Sequence, residues 1–285
     1  LIRMIPTNPI AAAANGDVLS IIFFSIILGM SITALPEKQY TYIRDLFDTF
    51  FKVMMKMTQG VILFLPFGVF GLIAKAVAST GFELFKAVGW YMVTIATGLT
   101  LHLFLVLPLV FWVLTKINPL KHFKAIASAM ATAFSTSSSG ATLPVTMDCV
   151  ENRAGVSNKV TSFVLPLGAT INMDGTALYE CAGVLFISQA LGFDLSFTQQ
   201  LVVVITAFLA SVGAAAIPSA GLVMIFIVLD AVGLGNHPGA ALIVGTMLAV
   251  DRPLDMFRTV VNVTSDTMGA VVVAKSEGEK VLSDV

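Results

Sequence analysis

The chain has 285 residues, 57% of them hydrophobic and only 12% charged, with a mean hydropathy of +0.92. A soluble domain needs more polar surface than that, so the composition points to an all-α polytopic membrane protein and not to a soluble enzyme. The formal net charge of -1 and the lack of any Lys/Arg run exclude nucleic-acid binding.

Cys149 and Cys181 lie among apolar residues without CxxC or Cys/His spacing, and read as small buried residues, not as ligands or a disulfide. Leu1 to Ile10 has neither the n-region nor the cleavage pattern of a signal peptide, and an N-terminal part is expected to precede Leu1.

Taken in order, Pro6-Thr7-Asn8-Pro9 starts a helix, and Ile10 to Ala34 supplies a first apolar span broken at Asn15-Gly16-Asp17 and closed by Pro36-Glu37-Lys38. From Tyr40 to Ala78 runs a long segment, amphipathic at first (Arg44, Asp45, Asp48, Lys52, Lys56) and then apolar, with Pro66 able to kink it. Phe82 to Leu114 is nearly uniformly apolar and long enough to span a bilayer with tilt. Its His102 reads as a packed histidine, because no carboxylate or second His sits one turn away.

From Lys121 about fifteen residues lead to Ser135-Thr136-Ser137-Ser138-Ser139-Gly140, and Ala141 to Val150 leads out. Such an arm covers roughly 22 Å, short of the roughly 30 Å hydrocarbon core, so a re-entrant hairpin fits better than two spans. The design recurs at Thr198 to Val232 around Gly213-Ala214-Ala215-Ala216-Ile217-Pro218-Ser219. Lys116, Lys121, Lys124, Arg153 and Lys159 flank the first hairpin, whereas Leu191 to Gln200 and Asp230 to Ala240 beside the second carry no Lys or Arg. The positive-inside rule therefore opens the first to the cytoplasm and the second outward, although Lys75 and Lys86 do not obey it.

Between the hairpins, Leu167-Gly168-Ala169-Thr170-Ile171-Asn172-Met173-Asp174-Gly175-Thr176 interrupts an otherwise apolar crossing. Polar residues packed at mid-segment predict a helix that opens and exposes carbonyls able to bind cations; a buried polar cluster holding helices together is the alternative. Two hairpins from opposite faces, each followed by a discontinuous helix, form an inverted repeat of the transporter kind. In the final span Asp251, Asp255, Arg258, Thr259, Asn262 and Asp266 fall within an arc of roughly 100°. Arg258 suits a carboxylate, Asp255 an ammonium group and Asn262 a second carboxylate, a pocket for an acidic amino acid. Asp266 and Asp174 supply the negative charge a dehydrated Na+ needs, and Arg252 reads as an interfacial charge.

These motifs resemble those of the glutamate/aspartate transporters, the dicarboxylate and amino-acid:cation symporter family. The matching stretches are Thr136-Ser137-Ser138-Ser139-Gly140-Ala141-Thr142-Leu143-Pro144, Asn172-Met173-Asp174-Gly175-Thr176, Ala216-Ile217-Pro218-Ser219-Ala220-Gly221 and Asp255-Met256-Phe257-Arg258-Thr259-Val260-Val261-Asn262. The resemblance covers the whole chain and implies that the family's first three transmembrane helices are missing.

It further implies a multi-pass protein of the cell membrane and a homotrimer working by an elevator step. Residues 1–78 would be scaffold, and 79–285 the transport domain, with a helix at 82–114, hairpins at 119–153 and 196–233, and broken helices at 157–190 and 238–276. Carried over by position, L-glutamate or L-aspartate would meet Ser137, Ser139, Thr176, Ile217, Gly221, Asp255, Arg258, Thr259 and Asn262. One Na+ would use Gly168, Asn172, Asn262 and Asp266; a second Thr170, Met173, Ser211, Val212 and Ala214; a third Asn172 and Asp174. Glu180 matches the proton-carrying glutamate of the animal members, where H+ coupling accompanies K+ counter-transport; its alternative is a structural partner to Tyr179 or Arg258. An arginine that relatives place at Ser137 or Met256 is absent. The competing readings are a dicarboxylate or neutral amino-acid symporter of the same fold, an ion channel, and an intramembrane hydrolase built on Ser139, which lacks a nearby base.

Overall fold

In lipid, long apolar runs can pair their own backbone groups within one segment only as helices, and in the computed structural model every described element is helical. The structure describes residues 5–14, 18–64, 67–68, 70–71, 74, 77–78, 83–213 and 220–282. The chain divides into two compact units, Leu1–Gly81 and Phe82–Val285.

In the first unit α1 (Pro9–Ala14) begins at Asn8, whose Oδ1 accepts from the N–H groups of Ile10 and Ala11 at 3.0 and 3.1 Å. This side chain pairs two of the donors a helix start leaves open, and Pro9 has no N–H to lose. The apolar α2 (Val18–Thr33) and the amphipathic α3 (Glu37–Ile62) follow, α3 carrying an exposed Lys52–Asp48 pair at 2.6 Å. Pro66 and Lys75 lie outside the described residues.

The second unit opens with α4 (Glu83–Leu101), a π turn (His102–Val106) and α5 (Leu107–Thr115). Pro108 has no N–H to donate, and just before it the ladder widens so that Leu107 N–H reaches His102 C=O. Among the described residues, Lys86–Thr115 is the one helical stretch long and apolar enough to cross a membrane.

The first hairpin is α6 (Pro119–Thr136) and α7 (Ser139–Asp148), of 18 and 10 residues. It turns at Ser137, which adopts a left-handed conformation with φ of 54°, and at Ser138, whose Oγ accepts from Ala141 N–H at 3.2 Å. A second π turn, Cys149–Arg153, leads to α8 (Asn158–Ile171), and the crossing resumes as α9 (Asp174–Ala190). The opening between them is confined to Asn172 and Met173. The second hairpin is α10 (Phe197–Gly213) and α11 (Ala220–Ala231); its tip, 214–219, lies outside the described residues.

The last helix differs from the expectation of a break at 238–276: α12 (Pro238–Ser276) is continuous over 39 residues, with Pro253 inside it. Three of its hydroxyls bond back into the helix. Thr259 and Thr264 hydroxyls donate to the carbonyls of Asp255 and Val260 at 2.8 and 2.7 Å, and Thr267 donates to Thr264 C=O at 2.8 Å. α12 packs against α4, α6, α8 and α9 and is the axis of the second unit.

Candidate functional site

All six residues of the α12 arc are buried, between 1% and 4% exposed. An unpaired charge at that depth costs several kcal/mol, and the first partner is local: Arg258 pairs with Asp255 one turn back. The guanidinium carbon lies 4.6 Å from the Tyr179 ring centroid, and Tyr179 OH donates to Asp251 Oδ1 at 2.8 Å. Arg258 Nη1 has no hydrogen-bond partner among the described residues. It lies against Gly221 at the start of α11, where even a Cβ would collide with it.

Asn262 joins α12 to α9. Its Oδ1 accepts from Gly175 N–H at 2.9 Å, one of the open donors at the start of α9, and its Nδ2 donates to Thr176 Oγ1 at 3.1 Å. Gly175 permits the approach, since a Cβ there would stand 2.9 Å from Arg258 C=O. One turn on, Glu180 is fully buried, and neither of its oxygens has a hydrogen-bond partner among the described residues. Ser137 and Ser139 at the first hairpin tip are also buried, Ser137 Oγ without a partner among the described residues.

A second polar network surrounds the opening between α8 and α9. Asn172 Nδ2 donates to Asp266 Oδ1 at 2.9 Å and to Ser265 Oγ at 2.7 Å; Ser265 Oγ lies 2.8 Å from Asp174 Oδ1. His102 Nε2 completes it, 2.7 Å from Asp174 Oδ2. Here the structure corrects the reading of His102 as merely packed: its carboxylate is 72 residues away in sequence, invisible to a search along one helix. Gly168 lets Asp266 close on α8, because a Cβ there would lie 2.6 Å from Asp266 Oδ1. Asn172, Asp174, Ser265 and Asp266 line part of a groove of about 430 Å³ that is otherwise mostly apolar, and their two carboxylates, amide and hydroxyl are oxygen groups of the kind a hard cation takes.

The other expected cation ligands are not gathered in this way. Thr170 is exposed and its hydroxyl returns to Leu167 C=O at 2.9 Å, while Ser211 on α10 donates to Phe208 C=O at 2.9 Å. Met173 is buried in the opening and Val212 is half-buried on α10. Ala214 and Ile217 lie outside the described residues. Arg252 is exposed on α12. Sequence reasoning missed Ser265 and His102 as members of the network, and the bond from Tyr179 to Asp251.

Residues 1–276 match a protein-family model described as the sodium:dicarboxylate symporter family. The excitatory amino acid transporter 3 of Mus musculus is 44% identical over 260 residues, which cover 91% of this chain and 49% of that protein. An excitatory amino acid transporter of Caenorhabditis elegans is 44% identical over 259 residues, with 90% and 50% covered. The excitatory amino acid transporter 1 of Ambystoma tigrinum is 42% identical over 272 residues, with 93% and 48% covered. The chain spans about half the length of the curated relatives it matches.

Proposed function

The chain belongs to the sodium:dicarboxylate symporter family, one of membrane transporters and not of enzymes, and on that premise we propose that it is part of a Na+-coupled symporter of acidic amino acids, L-glutamate or L-aspartate. The observation that carries this reading is the buried Arg258–Asp255 pair. Two opposite charges that neutralise each other in a dry site can exchange partners with the side-chain carboxylate and the ammonium group of such a ligand, which leaves its α-carboxylate, one net negative charge, to the Asn262 amide and the coupled cation. Arg258 then takes the side-chain carboxylate, with Nη1 ready to bond it, and Asp255 takes the ammonium group. A plain dicarboxylate would leave Asp255 without a cation. A neutral amino acid would leave Arg258 without an anion.

In this reading Ser137, Ser139, Thr176, Ile217, Gly221, Thr259 and Asn262 line the remainder of the substrate pocket. Na+ is carried at Gly168, Asn172, Asn262 and Asp266 and at Asn172 and Asp174, with Thr170, Met173, Ser211, Val212 and Ala214 as a further set. The relatives named for excitatory amino acids support the substrate class. The inverted-repeat architecture with re-entrant hairpins, the division into a scaffold at 1–78 and a transport domain at 79–285, the elevator step and the homotrimer belong to the same proposal. So does a multi-pass location in the cell membrane.

The test is uptake of radiolabelled L-aspartate and L-glutamate into proteoliposomes by the full-length transporter containing this chain, with and without a Na+ gradient and internal K+. Na+-dependent uptake of either supports the reading, and its absence for both defeats it. Glu180 is assigned to H+ coupling: it is a fully buried carboxyl whose oxygens have no hydrogen-bond partner among the described residues, so it can take up or release a proton without breaking a bond to them. Glu180→Gln is expected to keep substrate exchange while abolishing the stimulation by internal K+. Stimulation undiminished in that variant removes Glu180 from the coupling.

A further inference from the structure

The segment that leaves α12 does not run free. Gly278, at φ +85°, reverses the chain with Gly278 N–H on Lys275 C=O at 3.1 Å and Glu279 N–H on Ala274 C=O at 3.0 Å, the double bond pattern that closes a helix end. Two charges of opposite sign then meet two helix termini of opposite polarity. Lys275 Nζ donates to Thr115 C=O at the C-terminal end of α5. Glu279 receives Ser157 N–H at 2.9 Å and Ser157 Oγ–H at 2.5 Å at the N-terminal end of α8. A cation at a helix C-terminus and an anion at an N-terminus are both the favourable arrangement.

Beyond them Val281 and Leu282 are buried, 8% and 4% exposed, and Leu282 N–H donates to Ala154 C=O at 2.9 Å. Leu282 holds a φ of 55°, a conformation its side chain rarely adopts, which needs such anchorage.

We infer that Glu279 is a positioning residue: it clasps the end of α12 to the start of α8 and so holds the two helices in the register that brings Asp266 and Asn172 together. The helices run antiparallel and are pinned in two places, at Ser157–Glu279 and at Asn172–Asp266. The pins stand roughly 20 Å apart at 1.5 Å per residue. With both in place neither helix slides along the other; with one removed the remaining pin is a pivot. This inference rests on the cation role proposed for Asp266 and Asn172, but the clasp itself is measurable without it.

The clasp also has a pH signature of its own. The two bonds from Ser157 hold the Glu279 carboxyl below its ordinary value of 4.5, with Lys159 on α8 acting the same way. The adjoining turn carries Glu151, whose Oε1 accepts from Asn158 Nδ2, and Arg153; the tail itself carries Lys275, Glu277 and Lys280. A depressed carboxyl stabilises its bonded form above the unfolded value and loses that contribution as pH falls through the folded one. The clasp is therefore closed at neutral pH and opens in acid below 4.5.

The experiment compares the full-length transporter in liposomes with its Glu279→Gln and Ser157→Ala variants, and with Glu277→Gln as a control on the same tail. Hydrogen exchange at the Leu282 amide is followed against pH, and Na+-dependent uptake is titrated alongside. Both clasp variants are expected to lose roughly tenfold of the Leu282 protection at neutral pH. The acid step should vanish in Glu279→Gln, the half-saturating Na+ concentration should rise severalfold in both, and Glu277→Gln should match the parent. Leu282 protection unchanged in Glu279→Gln overturns the clasp, and lost protection with an unchanged Na+ titration overturns the positioning role. If the parent shows no Na+-dependent uptake, the transport reading fails while the exchange data still decide the clasp.

Discussion

Replacing Arg258 by Cys is expected to abolish binding of acidic substrates, with a loss on the order of 10² to 10³ in affinity. The guanidinium is 3% exposed and supplies the site's cationic donor group, including an Nη1 that no described residue bonds. Its loss has a second consequence. Asp255, 1% exposed and paired to Arg258, keeps its charge in a dry site without that counterion, an arrangement that costs about 3–5 kcal/mol when one partner of a buried pair is removed. A small neutral amino acid relieves that penalty, because its ammonium replaces the missing cation and it brings no second carboxylate. Arg258→Cys should therefore gain uptake of neutral amino acids such as serine or cysteine as it loses aspartate and glutamate. Competition assays in proteoliposomes measure both, and aspartate affinity equal to that of the parent would defeat the pocket assignment.

What could be read from the residues and what could not divide along a physical line. The opening at Asn172 and Met173 was legible because polar residues in an apolar run have few other uses, and it lies within the predicted stretch. The buried face of α12 was legible because six polar residues at helical spacing share one arc. Both are properties of a single segment. His102 failed for the opposite reason: its partner Asp174 lies on another helix, and only the packing of α4 beside α9 joins them.

The continuity of α12 failed for a subtler one. A run of Asp, Arg, Thr and Asn reads as a site of unwinding when each side chain is counted as a polar burden, but hydroxyls at 259, 264 and 267 discharge that burden onto carbonyls a turn earlier and leave the ladder intact. In the α8–α9 stretch Asn172 instead spends its amide on another helix, where it bonds Asp266 and Ser265. Partners on another helix do not by themselves open a helix, since Asn262 bonds Gly175 and Thr176 on α9 from within an unbroken α12.

The bond from Asn172 to Asp266 gives the second large effect. Asp266→Asn is expected to raise the half-saturating Na+ concentration by an order of magnitude or more, since it removes a buried carboxyl, 4% exposed, from the proposed cation site, where a low dielectric strengthens its attraction for Na+. Taken alone, such a loss could follow from any disturbance of α12. Gly168→Ala separates the two explanations. It lies on α8, adds only a methyl group, and in a helix Ala is favoured over Gly by about 1 kcal/mol, so it does not weaken the element that bears it. Its new Cβ would stand 2.6 Å from Asp266 Oδ1 and 2.9 Å from Cγ, so the carboxylate must shift from its present place. If the network around Asp266 binds Na+, the two substitutions on different helices weaken Na+ dependence in the same direction, and the double variant is little worse than Asp266→Asn, because residues acting through one group are not additive. A parent-like Na+ titration in Gly168→Ala, with the helices intact by circular dichroism, would show that displacing Asp266 costs nothing and would remove it from the ion site.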